Sequence, residues 1–494
     1  MITKIQDFAY KTKPMAHQEK IFLETRDRPY YALFWEMGTG KTKVCIDTAA
    51  YLFLKGEIDG VLIISDKGAY RNWVDPEVPI HMPDNVPYRQ AVWQATCGKK
   101  AQAKFNQLLV PHDNMLDILV MNVEAFAGDK AQDFANAFLE NHYTLLIIDE
   151  SDSIKTPTAK RTQAIIELKA RADYRRILTG TPIANSPLDI FSQAEFLNRG
   201  LLGDSFVAFR AEYANLLLID AGRGKKYYKI VSYKNIEKLK ELIKPWSSRL
   251  LKTECLDLPE KLYTVHYVEH TPEQAKMYKE LKEMALTEYA GGLLTATSAM
   301  TALMKLHQIN CGHVKIDGID DEDGVTVDIP SNRLSALHEL LSKVEGKVII
   351  WANFRRDFEL IGKMLTKEFG AESFVTYYGA THQDQRPLNV ERFRNDPKCR
   401  FFVSNAATGG RSLTLIESDY AVYYSYSWRL ALRLQSEDRN HRKGQTRPCT
   451  YVDLCIPNTV DVKIRRALQA KKELASSVLD NFSMLVADDD DVVT

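Results

Sequence analysis

The sequence predicts an α/β fold made of two parallel-sheet domains with helical insertions between them. Short apolar runs alternate with amphipathic stretches near both ends of the chain, and a segment rich in Leu, Lys and Glu separates the two regions. Strands that alternate with helices form parallel sheets, because each crossover helix returns the chain to the same end of the sheet. A length of 494 residues also exceeds what one hydrophobic core normally holds.

The first domain is predicted to span residues 1–258. Amphipathic patterns predict helices at 41–54 and 160–170, and the segment at about 190–255 is expected to be a helical insertion. The pattern stops near Leu258, because the proline that follows disfavours helical backbone in the residue before it. Apolar runs of strand length lie at 30–35, 61–64, 118–121, 145–148 and 176–178.

The second domain is predicted to span residues 259–480, with a helical insertion at about 265–335. Within that insertion, residues 312–330 are acidic and interrupted by glycine, which predicts a surface loop. Residues 481–494 contain four consecutive aspartates and are expected to form an acidic, solvated tail. Strand-like runs in this domain lie at 347–351, 373–377, 400–403, 420–424 and 450–454.

Composition limits the class of protein more than it identifies it. Lys+Arg and Asp+Glu number 65 each, so any nucleic-acid surface must be a local basic patch. No apolar run approaches the ~20 residues of a membrane span and no signal pattern is present, so we expect a cytoplasmic protein without a membrane partner. Seven cysteines are scattered without a CxxC pair, as in reduced intracellular proteins. His307, Cys311 and His313 lack a fourth ligand at a usual spacing, so a helix face is favoured over a metal site.

The segment Trp35 to Thr42, WEMGTGKT, lies between a predicted strand and a predicted helix. A glycine-rich loop in this position turns backbone N–H groups toward phosphates at the N-terminus of the helix. Gly38 and Gly40 allow the close approach, Thr39 lies between them, and Lys41 should reach the β- and γ-phosphates. Thr42 should place its hydroxyl on Mg²⁺. The loop therefore predicts ATP and magnesium as cofactors.

A second predicted part of this site follows the apolar strand at 145–148. Asp149 would hold Mg²⁺, and Glu150 would polarise the attacking water. Thr179 to Pro182, TGTP, follows the next strand, and its hydroxyls could sense the γ-phosphate. Either motif alone would be an ordinary surface turn, but together with the phosphate loop they favour nucleotide hydrolysis.

Far along the chain, residues 435–445 read QSEDRNHRKGQ. Arg439 and Arg442 are three positions apart, which places them on one face if the segment is helical. Two arginines directed at the γ-phosphoryl group could neutralise charge in the transition state. The alternative for this pair alone is a solvated basic helix face.

These motifs, in this order, resemble the Swi/Snf family of superfamily-two helicase-like translocases, over about residues 14–479. EMGTGKT is close to the family's EMGLGKT, 178–185 resembles its third motif, 407–415 its fifth and 435–445 its sixth. The resemblance implies two RecA-like domains and the compact bacteriophage or bacterial type. It also implies that Gln18 contacts adenine and that Gly410 and Gln435 contact nucleotide. The sequence departs from the family pattern at Asp152 and Ser412, which stand for histidine and glycine. Trp35 stands where the phosphate-loop motif usually has its first glycine.

The resemblance also supplies candidate nucleic-acid contacts. Arg71-Asn72-Trp73 is similar to the family's serine-asparagine-tryptophan motif, and 118–126 resembles the next DNA-proximal motif. The residues it places on the DNA track are Asn72, Trp73, Asn122, Thr181, Thr381 and Thr408.

The sequence therefore predicts a DNA-dependent ATPase that moves along double-stranded DNA in a bacterial or phage-infected cell. Its partner would be nucleic acid, bound through backbone phosphates in a salt-sensitive manner. Three alternatives remain open at this point. They are a strand-separating helicase on branched DNA or RNA, an ATP-driven remodeller of a protein partner such as RNA polymerase, and a weakly active nucleotide switch.

Overall fold

The computed structural model describes residues 8–220, 226–290, 296–316, 324–410 and 413–479. The described chain divides into two compact units. The first comprises residues 8–217, 229–256 and 471–479, and the second comprises 218–220, 226–228 and 257–470. The main division, between Leu256 and Asp257, lies two residues before the domain boundary predicted from the sequence. The predicted acidic tail at 481–494 lies outside the described residues.

The first unit is built on a parallel sheet. Within the described residues, seven strands pair in the order β3-β4-β2-β5-β6-β1-β9, and every neighbouring pair is parallel. Its seven strands are β1 Tyr30–Trp35, β2 Gly60–Ser65, β3 Tyr88–Val92, β4 Leu116–Asn122, β5 Thr144–Asp149, β6 Tyr174–Leu178 and β9 Ser247–Leu250. Between β6 and β9 in sequence lie β7 Ala214–Asp220 and β8 Lys226–Tyr233, whose residues are divided between the two units. The helices are α1 Ala16–Thr25, α2 Lys41–Leu54, α3 Tyr70–Asn72, α4 Val78–His81, α5 Lys99–Asn106, α6 Asp129–Asn141, α7 Lys160–Leu168, α8 Ile190–Leu197, α9 Phe206–Tyr213, α10 Ile236–Ile243 and α11 Lys252–Cys255.

Both faces of this sheet are covered. Side chains alternate along each strand, so Phe34 of β1 enters one hydrophobic core while Leu33 enters the core on the opposite face. A strand buried on both sides needs a continuous apolar run, and β5 supplies one from Leu145 to Ile148. Because all the strands are parallel, their carboxyl ends lie at one edge of the sheet.

The second unit has its own parallel sheet, with six strands in the order β10-β17-β16-β13-β15-β14 among the described residues. Its strands are β10 Lys261–Tyr267, β11 His313–Ile316, β12 Val325–Asp328, β13 Val348–Trp351, β14 Phe374–Tyr377, β15 Phe401–Ser404, β16 Tyr420–Tyr423 and β17 Cys449–Cys455. Its helices are α12 Pro272–Ala290, α13 Ala296–Asn310, α14 Asn332–Lys343, α15 Arg355–Phe369, α16 Gln385–Asn395, α17 Ala406–Gly409 and α18 Leu430–Glu437. A last helix, α19, spans Val460–Leu479.

The α/β class with two parallel-sheet domains is thus confirmed, but the two helical insertions are only partly helical. The segment at 190–255 also contains the two-stranded sheet β7–β8 and the strand β9, which pairs with β1. The sequence of β9, SSRL, has no apolar alternation, so its strand conformation comes from pairing with a neighbour. The segment at 265–335 includes the antiparallel pair β11–β12 where a surface loop was predicted, although 317–323 lie outside the described residues.

In the described part of the chain, no helix is both long enough and apolar enough to cross a membrane.

Candidate functional site

Four neighbouring strands of the first unit carry the predicted motifs at their carboxyl ends. In sheet order these are β2, β5, β6 and β1, which end at Ser65, Asp149, Leu178 and Trp35. The fold therefore brings together segments that are separated by more than 100 residues in the sequence. Ligands of open parallel sheets bind at this edge, outside the carboxyl ends of the strands.

The phosphate loop connects β1 to α2 and depends on two glycines in left-handed backbone conformation. Gly38 has φ +81° and Gly40 has φ +84°, a region that side chains rarely tolerate. A Cβ on Gly40 would also lie 1.9 Å from Nε2 of Gln18. The side-chain amide of Gln18 donates to the carbonyl of Gly40 at 3.1 Å and accepts from the backbone N–H of Met15 at 2.8 Å. Gln18 thus supports the loop from α1, and its contact with adenine stays a prediction.

Lys41 and Thr42 are the first two residues of α2, where backbone N–H groups have no partner within the helix. The Lys41 Nζ lies across the loop and donates to the carbonyls of Trp35 and Glu36 at 2.9 and 3.2 Å. Thr39 is fully buried, and its hydroxyl donates to the Glu36 carbonyl. A cation, a helix N-terminus and a loop of backbone N–H groups therefore coincide, which is the chemistry that binds phosphates.

Trp35 occupies the position where the phosphate-loop motif usually has its first glycine. It is the last residue of β1 and pairs with Leu250 of β9. Its side chain is buried in the core, with the indole N–H donating to the Ser248 hydroxyl at 2.9 Å. The tryptophan therefore belongs to the strand and its neighbour, and the glycine-dependent turn begins after it.

Asp149 ends β5, and its carboxylate accepts two side-chain hydrogen bonds. The indole N–H of Trp73 donates to Oδ2 at 2.9 Å, and the hydroxyl of Ser65 donates to the same oxygen at 3.3 Å. Burial raises the pKa of Asp149, whereas the Trp73 hydrogen bond and the charge of Lys41 lower it. Trp73 therefore stabilises the ionised form, which is the form that a metal ion needs.

Glu150 adopts left-handed backbone conformation, with φ +52° and ψ +57°. A non-glycine residue pays about 1–2 kcal/mol for this conformation, and such strain is found at functional sites. Burial and the neighbouring charge of Asp149 raise the pKa of Glu150, while Lys41 lowers it. Asp66 and Asp152 add further negative charge and raise the same pKa. The site therefore contains an acidic cluster around one lysine.

The third motif lies beside the phosphate loop. A Cβ on Gly180 would meet Cγ of Met37 at 3.3 Å, so the turn after β6 approaches the loop closely. The Thr179 hydroxyl accepts from the backbone N–H of Thr181 at 3.0 Å, which fixes the turn.

One buried side chain joins the carboxylate motif to the third motif. Gln193, on α8, is fully buried, and its Oε1 accepts from the Ser151 hydroxyl at 2.7 Å. Its Nε2 donates to the carbonyls of Pro182 and Asp189 at 2.8 and 2.9 Å. Ser151 follows Glu150 directly, and Pro182 follows Thr181, so one amide ties both turns together.

The donor set agrees with a magnesium ion held jointly with nucleotide phosphates. Among the described residues, no group of three or more His, Cys, Asp or Glu side chains is arranged to hold a metal ion by itself. Magnesium usually takes one or two protein carboxylates plus phosphate and water oxygens, and does not need a protein cage. Asp149 supplies such a carboxylate, and Thr42 lies at the start of α2.

The predicted arginines lie in the second unit, after the end of α18 at Glu437. They occupy turns and not the helix face that the sequence suggested, because the helix stops before them. Both nevertheless converge, since Arg439 and Arg442 each donate to the Leu413 carbonyl at 3.2 Å. Arg439 is only 4% exposed and also donates to the Gln435 carbonyl at 2.8 Å. Arg442 is less buried.

Two other predicted nucleotide contacts are buried in the second unit. Gln435 is 3% exposed on α18. Gly410 packs so closely that a Cβ would lie 2.1 Å from the Ala406 carbonyl oxygen, which requires glycine. Both remain predictions as nucleotide contacts. Arg411 and Ser412, in the same predicted motif, lie outside the described residues.

The predicted nucleic-acid contacts separate into two groups. Trp73 is 2% exposed and binds Asp149, and Thr381 is 8% exposed and closes a turn with Thr376 and Tyr378. The polar groups of these two residues are therefore bound inside the domains, and their contact with DNA stays a prediction. Asn72, Asn122, Thr181 and Thr408 are partly exposed and remain predictions. Among these, Asn122 caps a turn by accepting from the Ala125 N–H at 2.8 Å.

Sequence reasoning missed three residues of the site. Ser65 is the last residue of β2 and Asp66 follows it. The sequence could have indicated both, since polar residues at the carboxyl ends of adjacent parallel strands meet, and β2 lies next to β5. No sequence signal indicates Gln193, because its partners lie 11 and 42 residues away along the chain.

A phosphate loop and paired carboxylates on one parallel-sheet edge are typical of the phosphate-loop nucleotide-binding class. Within that class, the family is shown by comparison with known proteins. The SNF2-related domain matches residues 27–315, and the helicase conserved C-terminal domain matches residues 332–444. The first match alone covers more than half of the chain, and the chain belongs to the SNF2-related family.

Individual relatives are distant and longer. The chain is 26% identical over 345 residues to a putative ATP-dependent helicase/translocase, YwqA, of Bacillus subtilis (strain 168), covering 68% of this chain and 36% of that protein. It is 27% identical over 486 residues to a DNA repair and recombination protein RAD54-like of Gallus gallus, covering 90% and 63%. Among solved structures, the Sulfolobus solfataricus SWI2/SNF2 ATPase core in complex with dsDNA is similar, with 25% identity, a TM-score of 0.42 and coverage of 95% and 93%.

Proposed function

We propose that this chain is an ATP-hydrolysing motor that moves along double-stranded DNA. The observation that carries the proposal is the convergence of the phosphate loop, Asp149-Glu150 and the third motif at adjacent strand ends of the first unit. Membership of the SNF2-related family supports it. The chain spans 36% to 63% of the length of the relatives described above, so activity and substrate are proposed for this chain from its own residues.

Nucleotide binding would depend on the loop and the start of α2. Lys41 would exchange its bonds to the loop carbonyls for bonds to the β- and γ-phosphates, and Thr42 would contribute its hydroxyl to magnesium. Asp149 would hold the same ion, which when bound neutralises phosphate charge. Gln18, which already holds Gly40, is the candidate for contact with the base.

Hydrolysis would depend on Glu150, which follows the metal-binding carboxylate directly. Its raised pKa makes the carboxylate a better proton acceptor than an exposed glutamate, as a group that orients and deprotonates water requires. The left-handed backbone at this residue fixes the direction of its side chain. Arg442 and the more buried Arg439 are the candidates for neutralising charge on the γ-phosphoryl group during turnover.

Binding of DNA would use the partly exposed residues at the motif ends. Asn72, Asn122, Thr181 and Thr408 are polar and uncharged, which suits backbone contacts that do not read sequence. The chain has no net charge, so lysines and arginines near these residues must supply the attraction. Such binding weakens steeply with salt, since each phosphate contact releases counterions.

The test is steady-state ATPase measured with no nucleic acid, single-stranded DNA, duplex DNA and RNA in parallel. We expect duplex DNA to give the largest stimulation, and raising salt from about 50 to about 200 mM to reduce it by an order of magnitude or more. Lys41→Ala should abolish turnover in every condition while the protein remains folded, since its side chain bonds to the phosphate loop and does not pack in the hydrophobic core. A protein that hydrolyses ATP equally with and without duplex DNA at every salt concentration would contradict the proposal.

A further inference from the structure

Strands β7 and β8 form a two-stranded sheet that is separate from the seven-stranded sheet. At its base, Asn215 donates to the Ser232 hydroxyl at 2.9 Å, and the backbone N–H of Lys234 donates to the Tyr213 carbonyl at 3.0 Å. As the residue number falls from Asn215 to Tyr213, that of the partner rises from Ser232 to Lys234, which is the antiparallel pairing of a β-hairpin. Leu216, Ile230 and Tyr233 pack against the core of the first unit.

The remaining large side chains of the hairpin are exposed. Leu217 and Leu218 on β7 are 52% and 49% exposed, and Tyr227, Tyr228 and Val231 on β8 are 53%, 57% and 63% exposed. Successive strand residues point to opposite faces, so each face of the hairpin carries one of the two leucines and one of the two tyrosines. Isolated exposed apolar residues are ordinary, but several large ones on one short hairpin mark an interaction surface. A two-stranded hairpin has no second layer of its own to cover these side chains.

The same hairpin is basic in a chain with no net charge. Residues 226–236 contain Lys226, Lys229 and Lys234 and no carboxylate. Lys226 and Lys229 are exposed and flank the two adjacent tyrosines along β8, so each face of the strand carries one lysine and one tyrosine.

The ligand that complements this surface must carry negative charge and also flat apolar faces. A duplex offers phosphates, but its base faces are stacked inside the helix and only its edges are accessible. Unpaired nucleic acid offers both groups, because its bases stack on aromatic side chains while lysines bind its phosphates. A purely protein partner would explain the apolar residues but not the excess of lysines.

We infer that the β7–β8 hairpin is a binding surface for unpaired, single-stranded nucleic acid. Tyr227 and Tyr228 would stack on bases, and Lys226 and Lys229 would bind the adjoining phosphates. The inference rests on the proposed function only in placing the protein on nucleic acid. It adds a preference for regions where strands are separated, such as branches and bubbles.

The experiment measures binding of a labelled ~20-nucleotide single strand, and of the same sequence as a duplex, by fluorescence anisotropy. The Tyr227→Ala/Tyr228→Ala variant should bind the single strand at least ten-fold more weakly than the wild type, while duplex affinity changes less than three-fold. The Lys226→Ala/Lys229→Ala variant should weaken binding to the single strand and lower the slope of log affinity against log salt by about 1.4, since each phosphate contact contributes ~0.7 for single strands.

A matched control removes two exposed lysines from α15, in Lys363→Ala/Lys367→Ala, and should leave single-strand binding unchanged. Melting temperatures should agree among all four proteins, because none of the substituted side chains is buried. The inference would be overturned if the tyrosine variant bound the single strand as tightly as the wild type. It would also be overturned if the Lys363→Ala/Lys367→Ala control lost as much affinity for the single strand as the Lys226→Ala/Lys229→Ala variant. If duplex DNA did not stimulate the ATPase of the wild type, the proposed motor function would be refuted instead, so the two failures are distinguishable.

Discussion

Replacing Trp73 by phenylalanine tests whether this residue serves the ATP site. Trp73 was expected to contact DNA, and the structure buries it with its indole N–H 2.9 Å from Oδ2 of Asp149. Phenylalanine keeps an aromatic ring in the same core and removes the donor. The variant therefore separates the hydrogen bond from the packing of the side chain.

The expected magnitude follows from the chemistry of the bond. A hydrogen bond to a charged, buried group contributes about 1.5–3 kcal/mol, and 1.4 kcal/mol is a factor of ten. The Trp73 bond lowers the pKa of Asp149, so its loss should raise that pKa further. More Asp149 is then protonated at a given pH, and the metal must compete with a proton. We expect the magnesium concentration for half-maximal ATPase to rise about ten-fold or more, and the acid limb of the pH–rate profile to move to higher pH.

The assay is ATPase without nucleic acid, titrated with magnesium at several pH values. Trp93→Phe is the matched control, since Trp93 is also a buried tryptophan of the first unit, packed against Phe105 and Phe134. Its variant should show the magnesium and pH dependence of the wild type. The reasoning is refuted if Trp73→Phe leaves both dependences unchanged, or if it reduces only the stimulation by DNA, as a surface contact would.

Three further substitutions test other parts of the site. Glu150→Gln should bind ATP without hydrolysing it. Burial and Asp149 raise the pKa of Glu150 in the folded protein, so as the pH rises this carboxyl loses its proton in the unfolded state before it does in the folded state. The stability of the wild type should therefore fall relative to that of Glu150→Gln between about pH 5 and about pH 8, as measured by melting temperature without nucleotide. Arg442→Ala should lower kcat by about a thousand-fold with little change in ATP affinity. Arg439→Ala should lower kcat and also the melting temperature, because the guanidinium of Arg439 is hydrogen-bonded inside the domain. Equal melting curves for the two variants would contradict this structural role of Arg439. Gln193→Met keeps the volume but removes three hydrogen bonds, and should lower kcat more than it changes KM for ATP. Gln193→Glu should not recover the rate, because a carboxylate keeps the bond from Ser151 but cannot donate to the carbonyls of Pro182 and Asp189. Wild-type kcat in Gln193→Met would exclude a positioning role.

Much of the fold could be predicted because local pattern and tertiary environment agree. The run from Leu145 to Ile148 has to be buried on both faces, and the structure gives it to β5 at the centre of the sheet. The sequence pattern did not predict strands whose conformation depends on pairing with a neighbouring strand. β9 is polar and short, and it is a strand because β1 offers it hydrogen-bonding groups. β10 lies at the start of a predicted helical insertion and pairs with β17 along seven residues.

The candidate site divides in the same way. Glycines and Lys41 of the phosphate loop could be identified because their roles depend on backbone geometry within eight residues. The left-handed conformation of Glu150 could not be, because it depends on the junction of β5 with the turn that follows. The hydrogen bond from Trp73 to Asp149 could not be predicted either, since the motif that contains Trp73 gives its position along the chain and not the direction of its side chain.

Gln193 bears on a departure from the family pattern, the aspartate at position 152 in place of histidine. A link between the carboxylate turn and the third motif requires a side chain that can donate to one turn and accept from the other. A glutamine amide does both, and Gln193 uses its oxygen for Ser151 and its nitrogen for Pro182. An aspartate at 152 cannot replace it, because an ionised carboxylate only accepts and its charge raises the pKa of Glu150. The physical requirement is thus met from α8, so the identity of residue 152 need not decide whether the two motifs move together.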